Sequence, residues 1–586
     1  MKQLTDILEQ RISQALQTVT GQPDCPALVA ISKNPKFGDY QANGVMAAAK
    51  KAKTNPRQLA EQIIAQLQLD DICEPPEIAG PGFINLRIKD DFLAGRLLEI
   101  NTDKDRLGVE KVQTPKTVVV DYSGPNIAKQ MHVGHLRSTI IGDCISRLYE
   151  FEGNKVVRQN HIGDWGTQFG MLIRGSEELE FENTENLSNL ELLELIYKES
   201  KLRYDSDPDF ARASGDYVVR LHNHDSEMLE KWDKIREDSF KDCFSLYSTL
   251  NITLEPKDTR GESFYADKLA NVVETLKASK LAVESDGAMC VFPGDFKNKD
   301  GEPLPFIIQK SDGAFLYATT DLAALRFRIN ELKADKMIYV TDARQAQHFQ
   351  MLFETAKIAG WTNDKIDLMH VTFGTMLGTD GKPFKTRTGG TVKLKDLLEE
   401  AIQRATAVVE GKNPDLPAKQ KKDIANAVGI GAIKYADYSN NRNSDYIFSF
   451  DKMLAMEGNT APYMQYAYAR IKSIERKAAK KDVDIQSELA DIQQLTFTEE
   501  PEKGLAKMLI RYDQAIAIAA EECRPNYLTA YLYDLAQAFS RFYNACPVLK
   551  AAAEQRPVRL LLCDLTARTI EHGLTQLLGI EVVEQM

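Results

Sequence analysis

Several things this 586-residue chain lacks narrow it at once. Its eight cysteines, at 25, 73, 144, 243, 290, 523, 546 and 563, include no C-x-x-C pair, so no zinc ribbon or dithiol motif is expected and reduced thiols are. The amino-terminal stretch MKQLTDILEQRISQAL carries charges throughout; it has neither the apolar core of a signal peptide nor a membrane span, so a cytoplasmic protein without membrane attachment is expected. Internal repeats and low-complexity tracts are missing. A Walker loop is excluded because Gly381-Lys382 is followed by Pro383 where a magnesium-binding Ser or Thr is required. A dinucleotide fingerprint is excluded because Gly429-Ile-Gly431 lacks the third glycine and sits in alanine-rich helical sequence. Basic residues are in deficit, 73 Lys and Arg against 85 Asp and Glu for a net charge of −12. A nucleic-acid partner would therefore have to be held by local patches.

What is present is ordinary in bulk, 43 % hydrophobic and 27 % charged, and long enough for several domains with large cores. The informative stretch is DYSGPNIAKQMHVGH at 121–135. Upstream, TVVV at 117–120 reads as a buried strand. Downstream, Leu136, Ile140, Cys144, Ile145 and Leu148 recur at helical spacing until Gly153, and Val156 and Val157 open the next strand. The whole is a β-α-β unit of about 30 residues. In such units ligands collect at the carboxyl ends of strands, where a helix amino terminus offers N–H groups and partial positive charge to phosphates. Gly134 would let a flat base approach the backbone, and His132 and His135 can donate to phosphate oxygens. A zinc site on these two histidines is disfavoured, since two intervening residues make a tight fit and no cysteine is near.

His-x-Gly-His preceded by Pro-Asn-x-Ala-Lys resembles the HIGH signature of class I aminoacyl-tRNA synthetases, and the longer form resembles arginyl-tRNA synthetases. The resemblance continues through NHIGDWGTQFG at 160–170, YATTDLA at 317–323, DARQAQHF at 342–349 and the closing pieces LLG at 577–579 and EQM at 584–586, essentially the whole chain. It implies a multidomain protein: an α+β amino-terminal domain over 1–110, a Rossmann-like α/β catalytic domain over 111–389 with a helical insertion at about 171–300, a helical stem-contact region over 390–450, and an all-α anticodon-binding bundle over 451–586. The motifs FGDYQAN at 37–43 and GPGFIN at 80–85 look like those of the family's tRNA-elbow-contacting first domain, although Asp39, Tyr40 and Gln41 also read as exposed turn residues. Within the catalytic region a hairpin over 306–310 and 314–318 is predicted around Ser311-Asp-Gly313, with strands at 337–340 and 367–373. His222 and His224 in the insertion read as surface residues.

The chemistry implied is ATP-dependent joining of arginine to tRNA(Arg), with magnesium accompanying ATP, in a monomer. By resemblance His132, Gly134 and His135 meet ATP and Lys129 supplies a phosphate-facing cation. The family's second signature, KMSKS, is not intact in GTDGKPFKTRTGGT at 378–391, where Thr386 stands at a usual lysine position; Lys382, Lys385 and Arg387 remain loop candidates. A planar guanidinium wants in-plane carboxylate and amide acceptors, a need that Tyr317, Asp321 and Gln345 match by motif, while Asp121, Ser123 and Asn126 match the positions that hold the amino acid's backbone groups. In the last region Tyr463, Tyr466 and Tyr468 precede the basic run RIKSIERKAAKK at 470–481. There Arg470, Lys477 and Lys481 share one side of a predicted helix, and Tyr463 and Tyr466 are candidates for stacking on unpaired bases. An adenylate-forming ligase for another amine or acid, and a catalytically silent tRNA-binding paralogue, are the rival readings.

Overall fold

The computed structural model describes residues 2–181, 185–384, 392–481, 483–490 and 492–586. In the first region α1 (Leu4–Thr20) turns Leu4, Leu8, Ile12, Ala15 and Leu16 inward at helical spacing. It packs with α2 (Val45–Ala52) and α3 (Pro56–Ile64) beside an antiparallel sheet of β1 (Val29–Ile31), β2 (Tyr40–Ala42), β3 (Glu77–Ala79) and β4 (Phe83–Leu86), in the order β1-β2-β4-β3. Asn55 caps α3 ahead of Pro56, as the Asn-Pro pair predicts. Tyr40 departs from its reading as an exposed turn residue. It is 2 % exposed in β2 because the chain reverses at Gly38 and the ring enters the core. Helix α4 (Asp90–Thr102) leads out of this region.

The central sheet is parallel: β5 (Thr117–Asp121), β6 (Lys155–Gln159), β10 (Lys336–Asp342) and β11 (Asp367–Phe373) lie in the order β11-β10-β5-β6. Val118, Val119 and Val120 are fully buried, as the unbroken β-branched run of a strand covered on both faces requires. The chain runs from β5 to β6 on one side and later returns to β10 on the other. The strand order therefore reverses between β5 and β10, which opens a crevice at their carboxyl ends. Helix α5 (Val133–Phe151) crosses from β5 to β6.

Between β6 and β10 lie α6 (Thr167–Glu178), α7 (Asn189–Ser206), α8 (Pro208–His222) and α9 (Ser226–Thr249), the expected helical lobe. His222 and His224 are exposed there, His222 stacking on Trp165 at 4.9 Å. The lobe is shorter than the 171–300 predicted. After α10 (Leu269–Ala278) come β7 (Ala282–Ser285) and β8 (Ala288–Val291), joined by Asp286-Gly287, both at positive φ as a primed hairpin turn demands. With β9 (Phe306–Gln309) they form a three-stranded antiparallel sheet. The predicted hairpin at 306–318 is also cut short: its return arm is a single bridge from Gln309 to Phe315, because α11 (Tyr317–Asn330) begins at once. Helix α12 (Ala346–Ile358) links β10 to β11.

Two-residue strands β12 (Met376–Leu377) and β13 (Tyr446–Ile447) pair beyond the main sheet, flanking the antiparallel pair α13 (Leu394–Lys412) and α14 (Ala418–Tyr438). The short α15 (Phe450–Met453) then enters an all-helical bundle of α16 (Ala461–Ala479), α17 (Ile485–Ala490), α18 (Glu500–Leu509), α19 (Tyr512–Glu521), α20 (Pro525–Ala545) and α21 (Arg556–Glu571), which runs on into a π-turn at His572–Leu577. All eight cysteines are buried and unbridged. Among the described residues no helix is long and apolar enough to cross a membrane.

Candidate active site

The crevice at the ends of β5 and β10 is built first by the start of α5. His132 is the N-cap: its Nδ1 accepts the Gly134 N–H at 3.0 Å, and three residues on, His135 Nδ1 accepts the His132 N–H at 3.1 Å, a reciprocal capping box. A ring nitrogen that accepts an N–H carries no proton, so both imidazoles are the Nε2–H tautomer with the donor facing away from the helix. Burial lowers the pKa of both rings, and with His132 beside it His135 falls to about 4. They are neutral donors at pH 7. Among the described residues neither Nε2 has a protein partner.

The expectation of free helical N–H groups is corrected by the same geometry. Val133 N–H donates to Val392 O at 3.1 Å, Gly134 to His132, and His135 N–H to His132 O at 2.8 Å, so the imidazoles, not the backbone, face an incoming anion. Gly134 has a reason within the protein: a Cβ there would lie 2.7 Å from His132 Cε1. Its absence lets the capping ring fold back, whatever approaches from outside.

The loop from β5 to α5 is held in left-handed backbone at Ser123 (φ 73°), Gly124 (54°) and Ala128 (60°), conformations costly for residues with a Cβ. The insertion fixes it. Ser123 Oγ lies 2.7 Å from Tyr247 OH and 2.8 Å from Thr139 Oγ1, and Ala128 N–H donates to Ser239 Oγ. The Ser123 hydroxyl is thus buried among protein partners. Asn126 is exposed, with its side chain over Gly163. Lys129 Nζ sits 4.3 Å from the centroid of Tyr197, on α7.

On the other wall, one face of α11 presents Tyr317, Asp321 and Arg328. Tyr317 is 65 % exposed. His348 Nε2–H donates to Asp321 Oδ2 at 2.6 Å and His161 Nε2 lies 3.8 Å from Oδ1. Asp121 is half-committed: buried Arg328, whose guanidinium stacks near Tyr339, donates to its Oδ2 at 2.6 Å. Burial alone would lower the Arg328 pKa, but Asp121, together with Tyr339 and Tyr265, more than reverses it. Glu262 is held near this wall by its N–H on Ile162 O. Burial, then Asp164 and Asp321, raises its pKa to about 7. Gln345 is exposed at the N-cap of α12, just past β10.

Three partners were missed from sequence: His161, His348 and Arg328. His161 and His348 lie inside stretches quoted for their resemblance, and Arg328 is seven residues beyond Asp321 on the same helical face, a spacing that could have flagged it. Lys382 is exposed on the reversal from β12, and Lys385 and Arg387 lie outside the described residues. In the carboxyl-terminal bundle Tyr466 is 39 % exposed. Arg470 lies 5.9 Å from its ring and 4.6 Å from that of Tyr543. Lys477 and Lys481 are exposed. Tyr463 is half-buried against Tyr533, and Tyr468 is core.

A crevice at a parallel sheet's switch point, closed by a histidine-capped His-x-Gly-His helix, is the architecture of a class I aminoacyl-tRNA synthetase catalytic domain. Family models agree: "tRNA synthetases class I (R), catalytic domain" matches residues 97–450, "Arginyl tRNA synthetase N terminal domain" 6–88 and "DALR anticodon binding domain" 464–586. An arginine–tRNA ligase of Laribacter hongkongensis is 51 % identical over 583 residues, covering both chains fully. The crystal structure of arginyl-tRNA synthetase from Plasmodium falciparum superposes with a TM-score of 0.83 at 32 % identity, and a solved structure of the Thermus thermophilus enzyme with 0.80 at 26 %, each covering both chains fully. The chain belongs to the arginyl-tRNA synthetase family.

Proposed function

We propose that this protein is an arginine–tRNA ligase that joins L-arginine to the terminal ribose of tRNA(Arg) in two steps. The arginine carboxylate attacks the α-phosphorus of ATP, forming an acyl phosphate bond while pyrophosphate leaves. A terminal ribose hydroxyl then attacks the acyl carbon and AMP departs. The observation that carries the reading is the paired neutral Nε2–H donors of His132 and His135. They oppose charge gathering on phosphate oxygens without a proton to lose at neutral pH. Lys129, Lys382, Lys385 and Arg387 are the proposed cations for the phosphates, with Lys129 standing in for the lysine replaced by Thr386. Magnesium enters with ATP as part of that substrate. Asp321 and Tyr317 receive the guanidinium, with Gln345. Asp121, Ser123 and Asn126 surround the amino acid's backbone end, Ser123 through its backbone carbonyl because its hydroxyl is occupied and its N–H donates to Ser138 Oγ.

His348 gives the recognition its firmness: an Asp321 carboxylate tied on one oxygen presents the other in a fixed plane. The bundle over 451–586 reads the anticodon with Tyr463, Tyr466, Arg470, Lys477 and Lys481. The residues over 1–110 touch the tRNA elbow, those over 390–450 its acceptor side, and 111–389 carries the chemistry. Activation requires bound tRNA, and the protein works as a cytoplasmic monomer. Charging of a tRNA(Arg) transcript with labelled arginine, run beside lysine and ornithine, tests the reading. Arginine alone should be transferred, and transfer of another amino acid, or of none, would overturn it.

A further inference from the structure

Far from the reacting groups, at the rear of α5, one buried and one half-buried basic side chain bind only backbone carbonyls of distant segments and one carboxylate, and burial brings the Lys434 pKa down to about 7. Lys434 of α14 is fully buried, and its Nζ donates to Leu250 O at 2.6 Å and to Gly579 O at 2.8 Å. Arg147, three turns along α5 from His135, donates to Asn251 O at 2.7 Å, to Gln576 O at 3.2 Å and through Nε to Asp143 Oδ2 at 2.7 Å. The end of the insertion lobe and the carboxyl-terminal tail are thereby fastened to the catalytic helix at one point.

The tail is shaped for that role. The helix α21 loosens into the π-turn at 572–577, a geometry that frees carbonyls from the regular ladder, and Gly579 at φ 62° reverses the chain. A Cβ on Gly579 would stand 2.7 Å from Lys434 Nζ and 3.2 Å from Arg147 Nη2, so the glycine carbonyl reaches Lys434, and Arg147 passes beside it, only because no side chain intervenes. Asp143, fully buried, also accepts the Thr253 N–H at 2.8 Å and the Tyr122 hydroxyl at 3.3 Å. Tyr122 lies between Asp121 and Ser123 in the crevice wall. An unbroken path of hydrogen bonds thus runs from the tail carbonyls through Arg147 and Asp143 to the loop that begins the active site.

We propose that Arg147 and Lys434 are positioning residues that make the setting of α5 and of Tyr122 depend on the docking of the carboxyl-terminal tail, so that tRNA seated on that domain is felt at the site of activation. The inference rests on the ligase reading. Neither residue touches substrate. Replacing a carbonyl-bound side-chain donor leaves its acceptors unpaired and releases the tail.

The test uses full-length wild type, Arg147→Lys and Lys434→Met, with Gly579→Ala as a variant that leaves both basic side chains in place should either of the others fail to fold. Hydrogen exchange over residues 116–124 and 140–151 is followed with and without full-length tRNA(Arg), alongside charging kinetics. In the wild type, tRNA should slow exchange in both segments. In the variants that response should vanish while tRNA Kd and the KM for arginine and ATP stay within about threefold, and the charging kcat should fall at least tenfold. A wild type that charges tRNA but shows no exchange response, or variants that keep both the response and the kcat, would overturn the inference. Equal losses with and without tRNA, together with a raised KM, would reduce the residues to structural supports and overturn it too. A wild type that charges nothing would instead remove the ligase reading beneath it.

Discussion

At the scale of single residues, the two imidazoles cap the start of α5 through Nδ1 and, among the described residues, leave each Nε2–H without a protein partner for the proposed phosphate contact. His132→Asn separates the two roles, because asparagine is among the best N-caps. It should shift stability by no more than about 1 kcal/mol yet lower the charging kcat on the order of 10²-fold, the usual cost of one preorganised donor. Thermal melting and steady-state charging check this. The pH dependence follows from the burial of the second ring. The His135 pKa is pushed from 6.5 down to about 4, by burial first and His132 second, so the unfolded chain takes up the proton more readily than the folded one. Its contribution, about 3 kcal/mol in order of magnitude, is complete above pH 6.5 and lost as pH falls toward 4. Melting temperature between pH 7 and 4.5 should therefore fall more steeply for the wild type than for His135→Asn. Equal slopes would show that the cap does not titrate.

At the scale of elements, the insertion lobe braces the strained β5–α5 loop. Tyr247→Phe removes the hydroxyl that bonds Ser123 Oγ and accepts the Asn160 side-chain N–H, leaving a buried donor unpaired, so stability should drop by about 1–2 kcal/mol and the KM for arginine should rise. An unchanged KM would show that the loop holds itself. Deeper in the fold, Arg137 on α5 pairs with Asp437 on α14 at 2.8 Å with both side chains buried. Arg137→Met strands a buried carboxylate and should cost about 3–5 kcal/mol in denaturant melts. The elements themselves were largely legible in sequence: the valine run of β5, the periodicity of α5 and the ends of β11 all stand where local pattern puts them. What was not legible depended on distance or on one overlooked signal. Asp286-Gly287 is a strong hairpin turn hidden in a region read as helical. Tyr40 looks like a turn residue until the sheet closes over it. The bond from His348 to Asp321 spans 27 positions, and that from Arg328 to Asp121 spans 207, so no local pattern records either.

At the scale of the whole molecule, the amino-terminal region leans on the carboxyl-terminal bundle through Asp39–Lys507 and Asp90–Lys503, both at 2.8 Å, and through Arg511 over the Tyr40 ring at 5.4 Å. These partly exposed pairs are each worth only about 1 kcal/mol or less. Lys507→Glu should therefore leave the KM for arginine and ATP unchanged while raising the KM for tRNA a few-fold and increasing amide exchange over residues 37–43. The net charge of −12 is no obstacle to a tRNA partner, because the proposed contacts are local: Tyr466, Arg470 and Lys477 line one stripe of α16. The central claim, that this crevice activates arginine and does so in concert with tRNA, is tested most directly by arginine-dependent exchange of labelled pyrophosphate into ATP, with and without tRNA(Arg). Exchange with arginine and tRNA together, and none with lysine or ornithine, is the predicted result. Exchange driven by another amino acid, or none from folded protein that still binds tRNA, would contradict it.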